Sequence, residues 1–290
     1  FVAMASLIKA TSEHVPPGQA VFFRSFFAIP VIIVWLSVRK ELGSGLKTDN
    51  PMGHLWRGLI GTTAMGLGFA GLGLLPLPEV TAIGYAAPLL VVVFAAMFLN
   101  ENVRLFRLSS VALGMIGVMI VLSPRLSVGA DLSTRETLGA VVVLGSAIFA
   151  ALAQVFVRKL VQTEGTAAIV FWFSVTATCL SLLTIFWGWV WPSPTEAVFL
   201  ILAGFLGGTG QILLTTSYRH ADASLIAPFE YTSMLLAIGV GFFVFDEVPT
   251  TTMMIGAAII IAAGVAIILR ERYLGLERAR QRKAMPPSNA

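Results

Sequence analysis

Cysteine, histidine and charge are all scarce in this chain, and each scarcity closes off a class of function. Cys179 is the single cysteine, which excludes an intrachain disulfide and a cysteine metal cluster. The histidines, His14, His54 and His220, show no metal-ligand spacing to one another. No metal site and no cofactor is therefore implied. Charged residues make up 12% of the chain, against about 25% in a soluble globular domain. Long polar loops are lacking too: the longest connections, 39–54 and 123–136, are too short to hold a soluble domain. A membrane-embedded enzyme would need a nucleophile with its base, a metal site or paired carboxylates. The apolar segments offer one obvious deep acid and no histidine cluster, so an enzyme is not the expected reading.

Apolar surface is what the chain has in excess. Hydrophobic residues reach 57% and the mean hydropathy is +0.88. A soluble core cannot absorb that much, so a multi-pass membrane protein is expected, with the lipid bilayer as its solvent. The net charge of +4 then argues for no nucleic-acid partner; its meaning lies in where it sits. The chain opens on Phe1 inside an apolar run, so its natural start is expected upstream, and no signal peptide can be read.

Pro, Gly and charge punctuate ten apolar segments. They are expected at 1–12 (truncated), 17–38, 55–75, 79–99, 105–122, 137–158, 167–191, 195–217, 223–245 and 250–270. The expected fold class is an all-α integral membrane protein with ten transmembrane helices. Connections after even-numbered spans, with the tail, hold Arg39, Lys40, Lys47, Arg104, Arg107, Arg158, Lys159, Arg219, Arg270, Arg272, Arg278, Arg280, Arg282 and Lys283. Arg57, at the start of the third span, is read on that same side, whereas only Arg125 and Arg135 lie in the opposite loops. Positive charge stays inside, so both termini are expected in the cytoplasm of a bacterial inner membrane. The tail 271–290 is expected to be basic, cytoplasmic and poorly ordered.

The segments also repeat. Tyr85 and Glu101 are 16 residues apart, as are Tyr231 and Glu247, and a glycine-rich span follows each acid. Phe22-Phe23-Arg24-Ser25 echoes Phe171-Trp172-Phe173-Ser174. The shared order suggests two five-span halves, 1–125 and 136–270. Five is odd, so the second half enters from the opposite side. Such inverted repeats are the plan of many secondary transporters, with the site near the midplane where the halves meet.

Phe22-Phe23-Arg24 opening the second span, Glu101 and Glu247 closing the fourth and ninth, and the glycine-rich span after each resemble the drug/metabolite transporter superfamily, in its ten-helix EamA-type branch. The resemblance covers essentially the whole chain. Pro228-Phe-Glu-Tyr-Thr232 and Thr81-Ala-Ile-Gly-Tyr-Ala-Ala-Pro88 look most like bacterial amino-acid exporters of the YddG type. It implies export of amino acids or small metabolites through a cavity between the halves.

Glu230 is the only formal charge between Ala223 and Phe245. A carboxylate at that depth is costly unless it faces a cavity or a partner. It is read as a proton carrier, a neutral hydrogen-bond donor or a ligand for a substrate ammonium; its structural alternative is an ion pair with Lys9 or Arg24. Pro228 and Pro88 are expected to shape their helices. Lys9 is the candidate for a substrate carboxylate, with snorkelling to the interface as its alternative. Ser6, Gln154 and Gln211 are candidate polar contacts, and the glutamines fit interhelical hydrogen bonds equally well. Tyr85, Trp172, Tyr218 and Tyr231 are candidate walls for a substrate side chain. Arg24, Glu101 and Glu247 are expected to be structural. The glycines of spans three, eight and ten are expected to serve packing. A drug or nucleoside-like metabolite transporter of the same fold is the nearest rival, a channel a further one, and the sequence sets no oligomeric state.

Overall fold

The computed structural model describes residues 1–43, 45–99, 105–126, 134–220 and 232–284. Among the described residues the regular structure is entirely helical. The helices are α1 (Val2–Thr11), α2 (Pro17–Phe26), α3 (Ala28–Val38), α4 (Pro51–Leu72), α5 (Leu77–Gly84), α6 (Ala86–Leu99), α7 (Leu105–Leu126), α8 (Thr134–Leu160), α9 (Thr166–Leu182), α10 (Pro194–His220), α11 (Thr232–Phe245) and α12 (Thr251–Ala284). Among the described residues, five stretches are long and apolar enough to cross a membrane: Pro17–Val38, Leu77–Phe98, Arg135–Leu160, Thr166–Trp187 and Pro194–His220. Shorter apolar helices lie at Val2–Thr11, Leu108–Pro124, Ser233–Phe245 and Thr251–Ala266.

Proline sets both the starts and the breaks. Pro17 and Pro51 open α2 and α4, where the missing N–H would have no intrahelical partner anyway. Before Pro51, the Asn50 side chain accepts from Gly53 N at 2.9 Å and caps the helix. Ser193 and Glu196 form a reciprocal box at the start of α10: Glu196 Oε2 accepts from Ser193 N at 2.7 Å, and Ser193 Oγ accepts from Glu196 N at 3.3 Å. Inside a span proline has the opposite effect. The second expected span is broken at Phe27, three residues before Pro30, and the fourth at Tyr85, three residues before Pro88. A proline ring collides with the carbonyl four residues back and leaves it unbonded, which bends the helix just upstream. The helix is thus interrupted just before Pro88; Pro228 lies outside the described residues.

Past Arg270 the chain continues as helix: α12 runs on to Ala284. Leu276-Glu-Arg-Ala-Arg-Gln-Arg-Lys-Ala284 is composed of good helix formers, and no proline occurs between Pro249 and Pro286.

Small residues let the helices approach closely. α7 packs on α12, α4 on α8 and α9, and α10 on α1 and α2. At the α7–α12 crossing, a Cβ placed on Gly117 would lie 2.9 Å from the Gly256 carbonyl, and one on Gly256 would lie 2.7 Å from the Gly117 carbonyl. A Cβ on Gly208 of α10 would lie 3.0 Å from Ala28 Cα. Large apolar side chains cover the outside: Phe243 is 83% exposed and Trp191 95%, as a lipid-facing surface requires. Trp187 is exposed in the same way, while Trp189 turns inward, donates to Thr184 Oγ1 at 2.9 Å and packs on Phe22.

Candidate functional site

A cavity of about 400 Å³ opens between α1, α2, α4, α8, α9 and α10. Along α4 its lining runs from Arg57 to Phe69, roughly 18 Å at 1.5 Å per residue. Gln154 of α8, and Gln211, Thr215 and Tyr218 of α10, face it. Tyr218 donates to Gln154 Oε1 at 3.0 Å. That bond joins two polar side chains that the sequence had suggested separately. Ser146, which also lines the cavity, donates to the Ala64 carbonyl at 2.7 Å and ties α8 to α4.

Two arginines dominate the cavity's electrostatics. Arg24 and Arg57 are both buried, and both guanidiniums approach the ring of Phe173. Arg57 Cζ lies 4.0 Å from the ring centroid and Arg24 Cζ 5.5 Å. An aromatic face stabilises a desolvated cation by about 2 kcal/mol, well short of what burying a charge costs. Arg24 makes one further bond, Nη2 to the Gly207 carbonyl at 3.2 Å. This ties α2 to α10. Yet Nε and Nη1 of both arginines are buried with no hydrogen-bond partner among the described residues. Glycine makes the room: a Cβ on Gly61 would collide with Arg57 Nη1, and one on Gly207 would lie 2.7 Å from Arg24 Nε.

Arg57, read from the sequence only as a charge at the start of the third span, is buried. It lies six residues into α4, and α9 covers it with Phe173. The signal available in the sequence was Gly61, one turn further on, which frees the surface over which a long side chain can fold. Arg24 and Phe173 also occupy equivalent places in the two echoed motifs.

Other expected site residues fall elsewhere. Lys9 Nζ is paired with Glu247 Oε1 at 2.9 Å and donates to the carbonyls of Leu72 and Leu75 at 3.2 and 2.9 Å. Glu247 Oε2 accepts from Leu77 N at 2.8 Å and so caps α5. These contacts clasp α1, α4, α5 and the end of α11, at the opposite end of α4 from Arg57. Ser6 donates to the Val2 carbonyl at 2.9 Å, within its own helix. Tyr85 is buried with its hydroxyl 2.6 Å from Ser233 Oγ, joining the bend to α11. Trp172 Nε1 donates to the Leu46 carbonyl at 3.1 Å and anchors the 39–54 connection. Glu230, Tyr231 and Glu101 lie outside the described residues.

Glu164, not singled out from the sequence, organises the end nearest Arg57. Its Oε1 accepts from Thr48 Oγ1 and from the backbone N of Asp49 and Asn50, all within 3.1 Å, and its Oε2 lies 3.5 Å from His54 Nε2. Arg219 Nη2 donates to its backbone carbonyl. Burial pushes the carboxyl up, but Thr48, His54 and the Asp49 amide outweigh it and hold the group below its ordinary value.

A family model described as the EamA-like transporter family matches residues 1–123 and 137–270. The chain is 29% identical over 268 residues to the pseudopaline exporter CntI of Pseudomonas aeruginosa (strain UCBPP-PA14), covering 92% of this chain and 91% of that protein. It is 28% identical over 254 residues to an S-adenosylmethionine uptake transporter of Rickettsia bellii (strain RML369-C), covering 88% of this chain and 83% of that protein. A protein of known crystal structure shares the fold with a TM-score of 0.71 at 21% identity, covering 92% of this chain and 94% of that one. Matched along nearly its whole length and akin to transporters rather than enzymes, the chain belongs to the EamA-like transporter family of the drug/metabolite transporter superfamily and is a multi-pass membrane protein.

Proposed function

We propose that the protein is a secondary transporter that exports amino acids or related small metabolites by alternating access. The observation that carries this reading is the cavity: helices from both expected halves build it, and it places polar groups inside an otherwise apolar bundle. The Lys9–Glu247 clasp ties the helices at one end, as a closed gate would. Ten spans in two inverted halves, 1–125 and 136–270, with a basic tail 271–290 and both termini in the cytoplasm of an inner membrane, complete the reading. Two features support the repeat. The family match falls in two stretches with a gap near the middle. The packing also maps onto itself when the halves exchange: α4 on α8 becomes α10 on α1, and α4 on α9 becomes α10 on α2. Two named relatives work in opposite directions, one as an exporter and one in uptake. Uptake, or carriage of another metabolite on the same fold, is therefore the second reading.

Counterflow in proteoliposomes tests the assignment. Labelled amino acids are expected to accumulate against vesicles preloaded with the same compound, and protein-free vesicles to stay empty. Glu230→Gln is expected to reduce that exchange; unchanged accumulation of every transported amino acid would remove Glu230 from the mechanism.

A further inference from the structure

We infer that Arg24 and Arg57 form the subsite for an oxyanion of the transported molecule, a carboxylate first of all. This rests on the transport reading above and names a property of the substrate. Four buried guanidinium nitrogens, Nε and Nη1 of each arginine, have no hydrogen-bond partner among the described residues. Both side chains line the same cavity, and no acidic residue lies among its described lining. Two unneutralised cations in an apolar bundle are tolerated only where an anion completes the site for part of the cycle. The guanidinium fork matches a planar carboxylate and can hold it through two parallel N–H bonds.

The surroundings keep that fork in place. The Phe173 ring lies against both arginines, and the Gly207 carbonyl fixes Arg24 by Nη2, while its Nε and Nη1 have no partner among the described residues. Gly61 and Gly207 keep clear the space that any Cβ would take from the two side chains. Gln154, Gln211 and Thr215 present neutral polar groups beyond the arginines. The cavity therefore combines an anion end with neutral polar walls, suited to a metabolite with a carboxylate and a further polar part. Lys9, the carboxylate ligand expected from the sequence, is committed to Glu247.

Thermal unfolding of the full chain in lipid nanodiscs tests this with acid and amide pairs. The probes are L-phenylalanine and L-phenylalaninamide, L-glutamate and L-glutamine, succinate, and sulfate alone, at constant ionic strength. Expected is a rise in Tm of several degrees with at least one carboxylate, at least tenfold weaker in apparent affinity for its amide. Arg57→Gln is expected to abolish the rise and Arg57→Lys to retain part of it. The acid–amide comparison needs only the wild-type protein, so it stands even where a variant fails to fold. Equal stabilisation by acid and amide, or none by any carboxylate, would overturn the inference; a response to sulfate alone would replace the carboxylate with a tetrahedral anion and overturn it in that form. Counterflow separates the two claims. An amide carried as fast as its acid leaves transport standing and removes the anion subsite. A carboxylate that stabilises the protein without being carried leaves the subsite and removes transport.

Discussion

At the scale of single residues, the informative positions are those where a small side chain makes room for a large polar one. Gly61 is the clearest. Replacing it with Ala would ordinarily favour the helix by about 1 kcal/mol, but here the new methyl group would collide with Arg57 Nη1. Gly61→Ala is expected to lower thermal stability in nanodiscs rather than raise it; a raised Tm would show that the guanidinium has free space to move into. Tyr218→Phe removes the bond to Gln154 Oε1 and is expected to cost about 1 kcal/mol, read as a shift in the unfolding midpoint. Neither the partnership of Gln154 with Tyr218 nor the burial of Arg57 was legible in the sequence. A lysine or arginine near the end of an apolar segment reads as a flanking charge by default. Only the packing of α9 across it, bringing Phe173 within 4.0 Å, makes Arg57 an interior group.

At the scale of elements, the ends of the helices carry the polar ties. The Lys9–Glu247 pair is mostly shielded, with side-chain exposures of 13% and 16%. Neutralising one partner leaves the other uncompensated, which costs on the order of 3 kcal/mol. Lys9→Met and Glu247→Gln are each expected to destabilise the protein by about that amount. The Lys9→Met/Glu247→Gln double variant is expected to lose clearly less than the sum of the two. A double-mutant cycle in unfolding measures the difference, and strict additivity would deny the pair a coupled role. The helix breaks follow a simpler rule. Pro30 and Pro88 each stand three residues after a break, and that spacing is readable from the sequence because the lost hydrogen bond is local.

At the scale of the whole molecule, two features decide stability. The α7–α12 crossing has no room for a side chain: a Cβ on Gly256 would meet the Gly117 carbonyl at 2.7 Å, and backbone cannot step aside cheaply. Gly256→Leu is expected to abolish folding or to lower the yield of dispersed protein severely, measured by gel-filtration profile. The second feature is Glu164, whose carboxylate holds together the 39–54 connection, the start of α4 and, through its backbone, Arg219 of α10. Its folded pKa is depressed, so its contribution is complete above the unfolded value of about 4.3 and is lost as pH falls through the lower folded value. Wild type is expected to lose stability as acid is approached. Glu164→Gln is expected to be less stable at neutral pH and to show a flatter dependence between pH 6 and 3, read by unfolding midpoints in buffered nanodiscs.

The sequence by itself determined the membrane environment, the helical class seen among the described residues and the kinship with transporters. These follow from composition, local punctuation and ordered motifs. It also marked Gln154, Gln211 and Tyr218, because polar side chains in apolar helices have few places to go but inward. Tertiary structure alone decided which charges are paired and which are not. Lys9 finds Glu247 more than two hundred residues away, while Arg24 and Arg57 meet the same phenyl ring and keep nitrogens that no described residue bonds. A sequence shows that a charge is present and how far along a helix it sits. Whether that charge is neutralised depends on which helix lies beside it, and in a bundle packed through small residues the neighbour is chosen by long-range fit rather than by anything local.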